Sequence, residues 1–204
     1  MTVQELKSAF ESAYGKAADA VYFSPGRVNL IGEHTDYNGG SVFPCALSFG
    51  TYLLLAKNDK KVLNFKSLNQ PELISLGFDQ LTTRLEKSWA NYPLGVIAQF
   101  VKRGVKITQG YDLLIWGNVP NGAGLSSSAA LEVVTAFAFN DQLGTGFNRT
   151  ELAQIGQKAE HELALVNCGI MDQFASANGA KDSAIHLNCD TLEFELVPVK
   201  LEGV

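Results

Sequence analysis

The spacing of apolar residues along the chain predicts helices and strands in a definite order. Helical spacing, in which apolar residues recur three and four positions apart, occurs near the N-terminus and in most of the chain from Trp89 onward. Gly15 and Gly104 are glycine stops at the ends of the first two helical patterns. The predicted helices are Val3 to Tyr14, Trp89 to Arg103, Leu125 to Gln142, Thr150 to Val166 and a short one within Gly169 to Phe174.

Short apolar runs separated by turn residues predict β-strands. Most runs fall in the first third, where the Asn38-Gly39 turn and other polar turns predict antiparallel pairing. The runs are Ala20 to Phe23, Val28 to Ile31, Ser41 to Leu47, Thr51 to Ala56, Val62 to Phe65, Leu73 to Gly77, Tyr111 to Trp116, Ser183 to Leu187 and Leu192 to Val197. Strands, then helices, then strands predict an α+β domain, with helices packed on a mixed, largely antiparallel sheet.

Composition and charge narrow the class of protein. Apolar residues make up 46% of the 204 residues, which is enough for a substantial core and argues against intrinsic disorder. The net charge is −5 and there is no block of Lys and Arg, so nucleic acid is not an expected partner. Three widely spaced cysteines fit reduced thiols, and no stretch resembles a membrane span or a secretory signal. We therefore expect a cytoplasmic protein with no membrane partner.

A segment rich in glycine and serine joins the strand that ends at Trp116 to the long apolar helix. It contains Gly122, Gly124 and three consecutive serines, Ser126 to Ser128. Glycines let a tight turn aim backbone N–H groups at one point, and the following helix adds unpaired N–H groups and its positive dipole end. This arrangement predicts a phosphate site, in which a serine hydroxyl could ligate Mg²⁺. The alternative is a turn whose serines merely cap the helix, although one cap needs only one serine.

The segment differs from the commoner nucleotide-binding motifs. No G-x-x-x-x-G-K-[ST] is present, since no lysine lies near Gly124. No G-x-G-x-x-G follows a strand with an acidic residue placed for a ribose, and the H-R-D and D-F-G triplets of protein kinases are missing. A phosphate loop without lysine is therefore the distinctive signal.

A second polar stretch begins at Arg27. Glu33, His34 and Asp36 lie within four residues, just after the break at Gly32. Carboxylates and an imidazole placed together can bind sugar hydroxyls, whereas three metal ligands in so short a loop are not a usual zinc spacing. The alternatives are a solvated polar turn and, for Arg27, a surface charge instead of a partner for carboxylate or phosphoryl oxygens.

Two further acidic residues lie downstream. Glu160 is on a predicted helix, where a glutamate is ordinarily a solvated surface residue. If that helix passes the serine segment, the Glu160 carboxylate could instead hold Mg²⁺. Asp172 follows a break in the helical pattern, where an aspartate is ordinarily an N-cap. If it is buried beside an arginine, it could instead accept a hydroxyl proton. The residues alone do not bring these groups together in space.

Three segments together resemble one enzyme family. Pro25 to Gly39 is similar to the galactokinase signature, and Gly117 to Glu132 is similar to the ATP loop of the superfamily of galactokinase, homoserine kinase, mevalonate kinase and phosphomevalonate kinase. Asn167 to Phe174 resembles the galactokinase segment that carries the catalytic aspartate. Because the segments occur in family order and at family spacing, the chain is identified as a member of the galactokinase family.

The resemblance implies a reaction and a role for each matching position. The reaction is ATP-dependent phosphorylation of the anomeric hydroxyl of α-D-galactose, with Mg²⁺ as cofactor. Asp172 and Arg27 would be catalytic, and Ser128 and Glu160 would ligate Mg²⁺. The sugar would be bound by Glu33, His34, Thr35, Asp36, Gly169 and Asp172. The ATP phosphates would be bound by Gly122, Ala123, Gly124, Leu125, Ser126, Ser127 and Ser128.

The resemblance also implies that residues 1–204 are one domain of a longer enzyme. Galactokinases carry a third glycine-rich motif beyond the position of Val204, so we expect the ribosomal protein S5-like N-terminal domain without its C-terminal domain. Such a fragment would have little kinase activity, and its exposed apolar face would promote self-association. Two alternatives remain. One is a non-catalytic sensor of galactose and ATP, which the intact serine segment disfavours, and the other is a kinase for a related sugar such as N-acetylgalactosamine or arabinose.

Overall fold

A mixed β-sheet runs through the centre of the fold. The computed structural model describes residues 1–119 and 124–199, and the sheet has eight strands within them. The strands are β1 (Ala20–Asn29), β2 (Ser41–Val42), β3 (Pro44–Asn58), β4 (Val62–Ser67), β5 (Leu73–Gly77), β6 (Gly110–Gly117), β7 (Ser183–Asn188) and β8 (Phe194–Pro198). They pair in the order β2-β7-β3-β6-β4-β5, with β1 paired to β3 and β8 paired to β7.

The direction of the strands agrees with the predicted fold class. The pairing of β4 with β6 is parallel, and the other pairings in the described sheet are antiparallel. The parallel pair is possible because α2, which begins at Asn91, lies in the connection between β4 and β6. The sheet is therefore mixed and largely antiparallel.

Helices cover both faces of the sheet. They are α1 (Val3–Tyr14), α2 (Asn91–Lys102), α3 (Ser127–Leu143), α4 (Arg149–Ala159) and α5 (Met171–Asn178). Leu53 and Leu55 of β3 belong to the core formed with α2, α3 and α4, whereas Leu54 and Ala56 pack against α1. This alternation follows from the two-residue repeat of a strand. Within the described part of the chain, no helix has both the length and the apolar character to span a lipid bilayer.

The bounds of α1 match the prediction because both of its ends are specified locally. The Thr2 hydroxyl accepts a hydrogen bond from Glu5 N (3.3 Å), and the Glu5 carboxylate accepts one from Thr2 N (2.7 Å). This reciprocal arrangement is a capping box. Gly15 ends the helix with a φ of 70°, a conformation that glycine adopts without strain.

Two strands are longer than the sequence predicts. The predicted breaks at Pro25-Gly26 and around Gly50 lie inside β1 and β3, which pair with each other along most of their length. The register shifts between Pro25 and Arg27, where one residue of β1 lies opposite three residues of β3, so the extra residues of this bulge are on β3. Long-range pairing therefore overrides the local turn preference of Pro25-Gly26, and the shift of register lies immediately before Arg27.

The predicted helix from Thr150 to Val166 is wrong at its C-terminal end. α4 ends at Ala159 and continues as a π-helical turn, Glu160–Ala164. Leu165 then adopts a left-handed conformation with a φ of 60°. Wide turns of this kind occur often at functional sites, and this one begins at Glu160.

A buried polar network ties the end of α1 to the sheet. Asp112 on β6 is 6% exposed, and its carboxylate lies 2.7 Å from Lys16 Nζ. It also accepts hydrogen bonds from Asn58 Nδ2 (2.9 Å) and Asn64 Nδ2 (2.6 Å). Burial opposes ionisation, but the three donors outweigh it and hold the pKa of Asp112 below its ordinary value.

Asp112→Asn should lower the free energy of unfolding by about 2 kcal/mol at neutral pH, because Lys16 and two amides lose the charge that they contact. Since the folded pKa lies below the unfolded one, this contribution is complete above the unfolded pKa and disappears as pH falls through the folded pKa. Urea unfolding at about pH 7 and about pH 3 should show the difference between parent and variant shrinking in acid. Asp59→Asn, at an exposed position, is the control. An equal difference at both pH values would contradict this account.

Candidate active site

Arg27 and Asp172 form an ion pair where β1 passes α5. Arg27 follows the shift of register between β1 and β3, and Asp172 is in the first turn of α5, two residues after the N-cap Ile170. Arg27 Nε and Nη2 lie 2.8 Å and 2.6 Å from Asp172 Oδ1. The two side chains are 13% and 27% exposed, so the pair is shielded from water but reachable from a cleft. Arg27 is therefore not a free surface charge, and Asp172 is not an N-cap.

The serine segment closes on the same ion pair. Arg27 Nη1 donates a hydrogen bond to the Gly124 carbonyl (2.6 Å), and the Ser126 hydroxyl donates one to Asp172 Oδ2. Ser126 precedes α3 with a left-handed φ of 57°, and its side chain makes no capping bond. The simple-cap alternative is therefore wrong for Ser126. Its hydroxyl instead completes the set of donors around Asp172.

The remaining positions of the segment differ in what the structure shows of them. The predicted phosphate-binding residues Gly122 and Ala123 lie outside the described residues. Ser127 is exposed and Ser128 is half-buried at the start of α3. The Leu125 carbonyl accepts a hydrogen bond from Arg27 N at 3.3 Å, so the segment contacts the backbone of β1 as well as the Arg27 side chain.

The acidic loop after β1 is shaped by its own hydrogen bonds. The Thr35 hydroxyl donates to the Gly32 carbonyl (2.6 Å) and lies 2.9 Å from the Ser41 carbonyl. His34 Nδ1 is 2.6 Å from the Tyr37 hydroxyl, which orients the imidazole. The Thr35 hydroxyl braces the loop and Thr35 is not among the residues that line the cleft described below, so its predicted sugar-binding role stays a prediction.

Asp36 from this loop lies directly against Gly169. A methyl group added at Gly169 would overlap with the Asp36 carboxylate, so a glycine is required there for the loop to approach α5. Burial and the negative charge of Asp36 raise the pKa of the neighbouring Cys189 thiol to about 11. The structure thus brings the acidic loop to the segment just before Asp172.

These groups line one open cleft of about 450 Å³. Its wall includes the predicted sugar-binding side chains, the ion pair and part of the serine segment. The predicted residues that line it are Arg27, Glu33, His34, Asp36, Gly124, Leu125, Gly169 and Asp172. Carboxylates, an imidazole and a guanidinium around one cavity suit a ligand with several hydroxyl groups.

A second pocket, of about 200 Å³, adjoins the start of α3 and was missed in the sequence. Ser127 and Ser128 line it together with aromatic and aliphatic side chains. The principal apolar members are Trp89, Tyr92, Ile115, Val119 and Leu131. A pocket with aromatic and aliphatic side chains on much of its wall, beside the serine segment, has the character that suits a nucleobase. The available sequence signal was a pair of aromatic residues at the start of α2, but periodicity does not tell which loop they face.

Two buried glutamates and one buried glutamine form a cluster between α3, α5 and the end of α4. Glu132 of α3, Glu160 after α4 and Gln173 of α5 are 0%, 5% and 0% exposed. Gln173 Nε2 donates to Glu132 Oε2 (2.9 Å) and to Glu160 Oε2 (2.6 Å). Burial and the nearby charge of Glu160 raise the pKa of Glu132 well above its ordinary value. Glu160 is therefore not the solvated residue of the simpler alternative, and a lone acid within an apolar helix was the signal for Glu132.

Glu160, one of the two predicted Mg²⁺ ligands, lies in a cluster of buried polar groups. In the described residues, neither Glu132 nor Glu160 forms an ion pair with Lys or Arg. Tyr92 lines the pocket with Ser128, and its pKa is raised by burial and by the charges of Glu160 and Glu132. No His, Cys, Asp and Glu cluster of three or more in residues 1–119 and 124–199 could hold a metal by itself. Hydroxyl and carboxylate oxygens, such as those of Ser128 and Glu160, are the kind of ligand that Mg²⁺ takes together with substrate phosphates.

Known proteins match nearly the whole chain. The galactokinase galactose-binding signature matches residues 8–57, and the N-terminal domain of GHMP kinases matches residues 91–180. The chain is 48% identical over 202 residues to the galactokinase of Clostridium tetani and 53% identical over 182 residues to that of Fusobacterium nucleatum. These matches cover 98% and 88% of this chain but 51% and 47% of the relatives. The chain thus spans about half the length of the curated relatives it matches.

Solved structures of galactokinase and its relatives also match this chain. The crystal structure of Lactococcus lactis galactokinase complexed with galactose superimposes with a TM-score of 0.94 at 40% identity, covering 99% of this chain and 53% of that one. Methanococcus jannaschii mevalonate kinase has a TM-score of 0.75 at 16% identity, covering 87% of this chain and 55% of that one, which shows a common fold. The chain therefore carries the galactose-binding signature of galactokinases and the N-terminal domain of GHMP kinases, and it is similar to galactokinases along nearly its whole length.

Proposed function

We propose that residues 1–204 are the N-terminal, sugar- and ATP-binding domain of a galactokinase. The reaction transfers the γ-phosphoryl group of ATP to the anomeric hydroxyl of α-D-galactose and yields galactose 1-phosphate and ADP. The observation that carries this proposal is the placement of Asp172. It contacts both Arg27 and Ser126, where the open cleft of about 450 Å³ meets the serine segment.

Asp172 is the proposed acceptor of the sugar's hydroxyl proton. Its carboxylate is held by Arg27 and Ser126, so its position is set before a substrate arrives. Such preorganisation favours phosphoryl transfer, in which positioning and charge neutralisation supply most of the catalysis. Arg27 also has the charge to stabilise the transferring oxygens. Glu33, His34 and Asp36 are the proposed hydrogen-bonding partners of the remaining sugar hydroxyls, with Gly169 providing the close backbone wall.

The nucleotide is proposed to lie across the start of α3. Backbone N–H groups of the serine segment and the positive end of the helix dipole attract the phosphates, and the pocket of Trp89 and Tyr92 receives the base. Ser128 and Glu160 are the proposed ligands of Mg²⁺. When bound, Mg²⁺ neutralises the charge that develops on the phosphate oxygens.

The other features of the proposed enzyme follow from its substrates and its surface. A cytoplasmic location is proposed because ATP is the phosphoryl donor and Cys45, Cys168 and Cys189 are free thiols. Exposed apolar side chains, including Leu30, Ile31, Leu165 and Phe194, are proposed to contact a further domain or another copy of the chain. Residues 1–204 alone are expected to turn over slowly, since the relatives are longer.

Galactose should bind to the 204-residue chain more tightly than N-acetylgalactosamine or arabinose, as measured by isothermal titration calorimetry. Asp36→Asn should weaken galactose binding by about tenfold, because a charged hydrogen-bond acceptor in the cleft is replaced by a neutral amide. Asp59→Asn, on the exposed surface, should leave the affinity unchanged. A parent chain that prefers another sugar would contradict the proposed substrate, and one that binds no sugar would contradict the proposed function.

Asp172→Asn should reduce galactose phosphorylation by at least about 100-fold, because it removes the proposed proton acceptor. The assay uses the chain joined to the C-terminal half of Lactococcus lactis galactokinase, with Asp59→Asn as the control. ATP affinity should change by less than about threefold, since Asp172 does not line the pocket proposed for the base. Turnover of the variant near the parent rate would remove Asp172 from the catalytic role. Sugar binding without turnover in the parent would favour a sensor.

A further inference from the structure

Gln173 connects three parts of the proposed active site. Its side-chain amide donates to Glu132 of α3 and to Glu160 at the start of the π-helical turn. Gln173 is also the residue after Asp172 in α5. α3 begins at the serine segment. One buried amide therefore links three elements, which carry the serine segment, Glu160 and Asp172.

The packing around this amide leaves little freedom for its side chain. A methyl group added at Gly156 of α4 would lie 3.1 Å from Gln173 Cγ and 3.3 Å from Glu132 Cβ. Both side chains therefore pack close to the backbone of α4 at this glycine, where a larger residue would crowd them. The direction of the amide, and with it the direction of the Glu160 carboxylate, is therefore set by three helices at once.

The polar atoms of this cluster are not fully satisfied. In the described residues, Glu132 Oε1 and Gln173 Oε1 are buried and have no hydrogen-bond partner. Buried polar groups without partners destabilise a fold, and an apolar trio of similar volume would pack the same space without that loss. The cluster is thus poorly explained by stability alone, and its contact with Glu160 suggests what it does.

We propose that Gln173 and Glu132 are positioning residues for phosphoryl transfer. The Gln173 amide holds the Glu160 carboxylate toward the Mg²⁺ that accompanies ATP, and Glu132 holds Gln173. This inference rests on the proposed function, because it needs Glu160 to be a Mg²⁺ ligand. Groups that orient a metal ligand commonly change metal affinity by about 10–100-fold when they are removed.

The test measures how much Mg²⁺ strengthens ADP binding to the 204-residue chain. Calorimetric titrations with excess Mg²⁺ and with EDTA give this gain as a ratio of two affinities. Gln173→Leu should reduce the gain by about tenfold, because the Glu160 carboxylate loses the donor that orients it. Galactose affinity should stay within about twofold of the parent, since Gln173 does not line the sugar cleft.

Three further variants separate positioning from packing. Glu132→Leu should reproduce the effect of Gln173→Leu, whereas Glu132→Gln should keep the parent gain, because its amide oxygen still accepts from Gln173 Nε2. Asn58→Leu is the matched control, since Asn58 is 8% exposed, its amide donates to Asp112 (2.9 Å), and it lines neither pocket of the site. It should lower the midpoint of thermal unfolding without changing the Mg²⁺ gain.

The possible results distinguish the inference from the proposed function. If Gln173→Leu and Glu132→Leu both keep the Mg²⁺-dependent increase in ADP affinity of the parent chain, the positioning role is wrong and the proposed function still stands. A parent chain whose ADP affinity does not respond to Mg²⁺ overturns the metal role and this inference together, while galactose binding separately tests the proposed substrate. If Gln173→Leu does not fold, as judged by circular dichroism, the comparison of Glu132→Leu with Glu132→Gln decides.

Discussion

The site depends on the ion pair between Arg27 and Asp172, which joins residues 145 positions apart in the chain. Each partner also contacts the serine segment, through the Gly124 carbonyl and the Ser126 hydroxyl. A shielded ion pair adds little net stability, because the loss of hydration offsets the attraction between the charges. Its contribution is positional. The sheet and its helices provide the stability of the fold, and the pair brings a strand, a helix and a loop to one point.

Close backbone approach makes this assembly possible, and glycines provide it at two places. A side chain at Gly26 would lie 2.7 Å from the Leu125 carbonyl, so the serine segment could not lie against β1. A side chain at Gly169 would displace Asp36 and separate the acidic loop from α5. The same contacts leave the Asp36 carboxylate and Asp172 on one cleft wall. The polar groups are therefore arranged by backbone packing before any ligand is bound.

The sequence predicts most elements of the fold, and its errors have physical causes. The bounds of α1 were predicted correctly because Thr2, Glu5 and Gly15 specify them locally. The break at Pro25-Gly26 was wrong because pairing with β3 outweighs the turn preference of those residues. The helix through Glu160 was wrong because a π-helical turn depends on packing and has no clear local pattern.

The residues of the site also divide into those that local motifs indicate and those that only tertiary packing brings together. The loop motifs identified Arg27, Asp36 and Asp172 because these residues lie in compact, recognisable segments. Trp89, Tyr92 and Gln173 were missed because their roles depend on which distant element they face. Thr35 was assigned to the sugar by resemblance, and tertiary packing places its hydroxyl against its own loop. Local patterns thus indicate which chemistry is present, while tertiary packing determines which groups meet.

We propose that the Arg27–Asp172 pair marks the position of the reacting sugar hydroxyl. A crystal structure of this chain with bound galactose tests it most directly. We expect the anomeric oxygen to lie about 2.6–3.2 Å from the Asp172 carboxylate, with Arg27 still paired to it and Asp36 on another sugar hydroxyl. Galactose bound away from Asp172, or an Asp172 separated from Arg27 in that complex, would contradict the account.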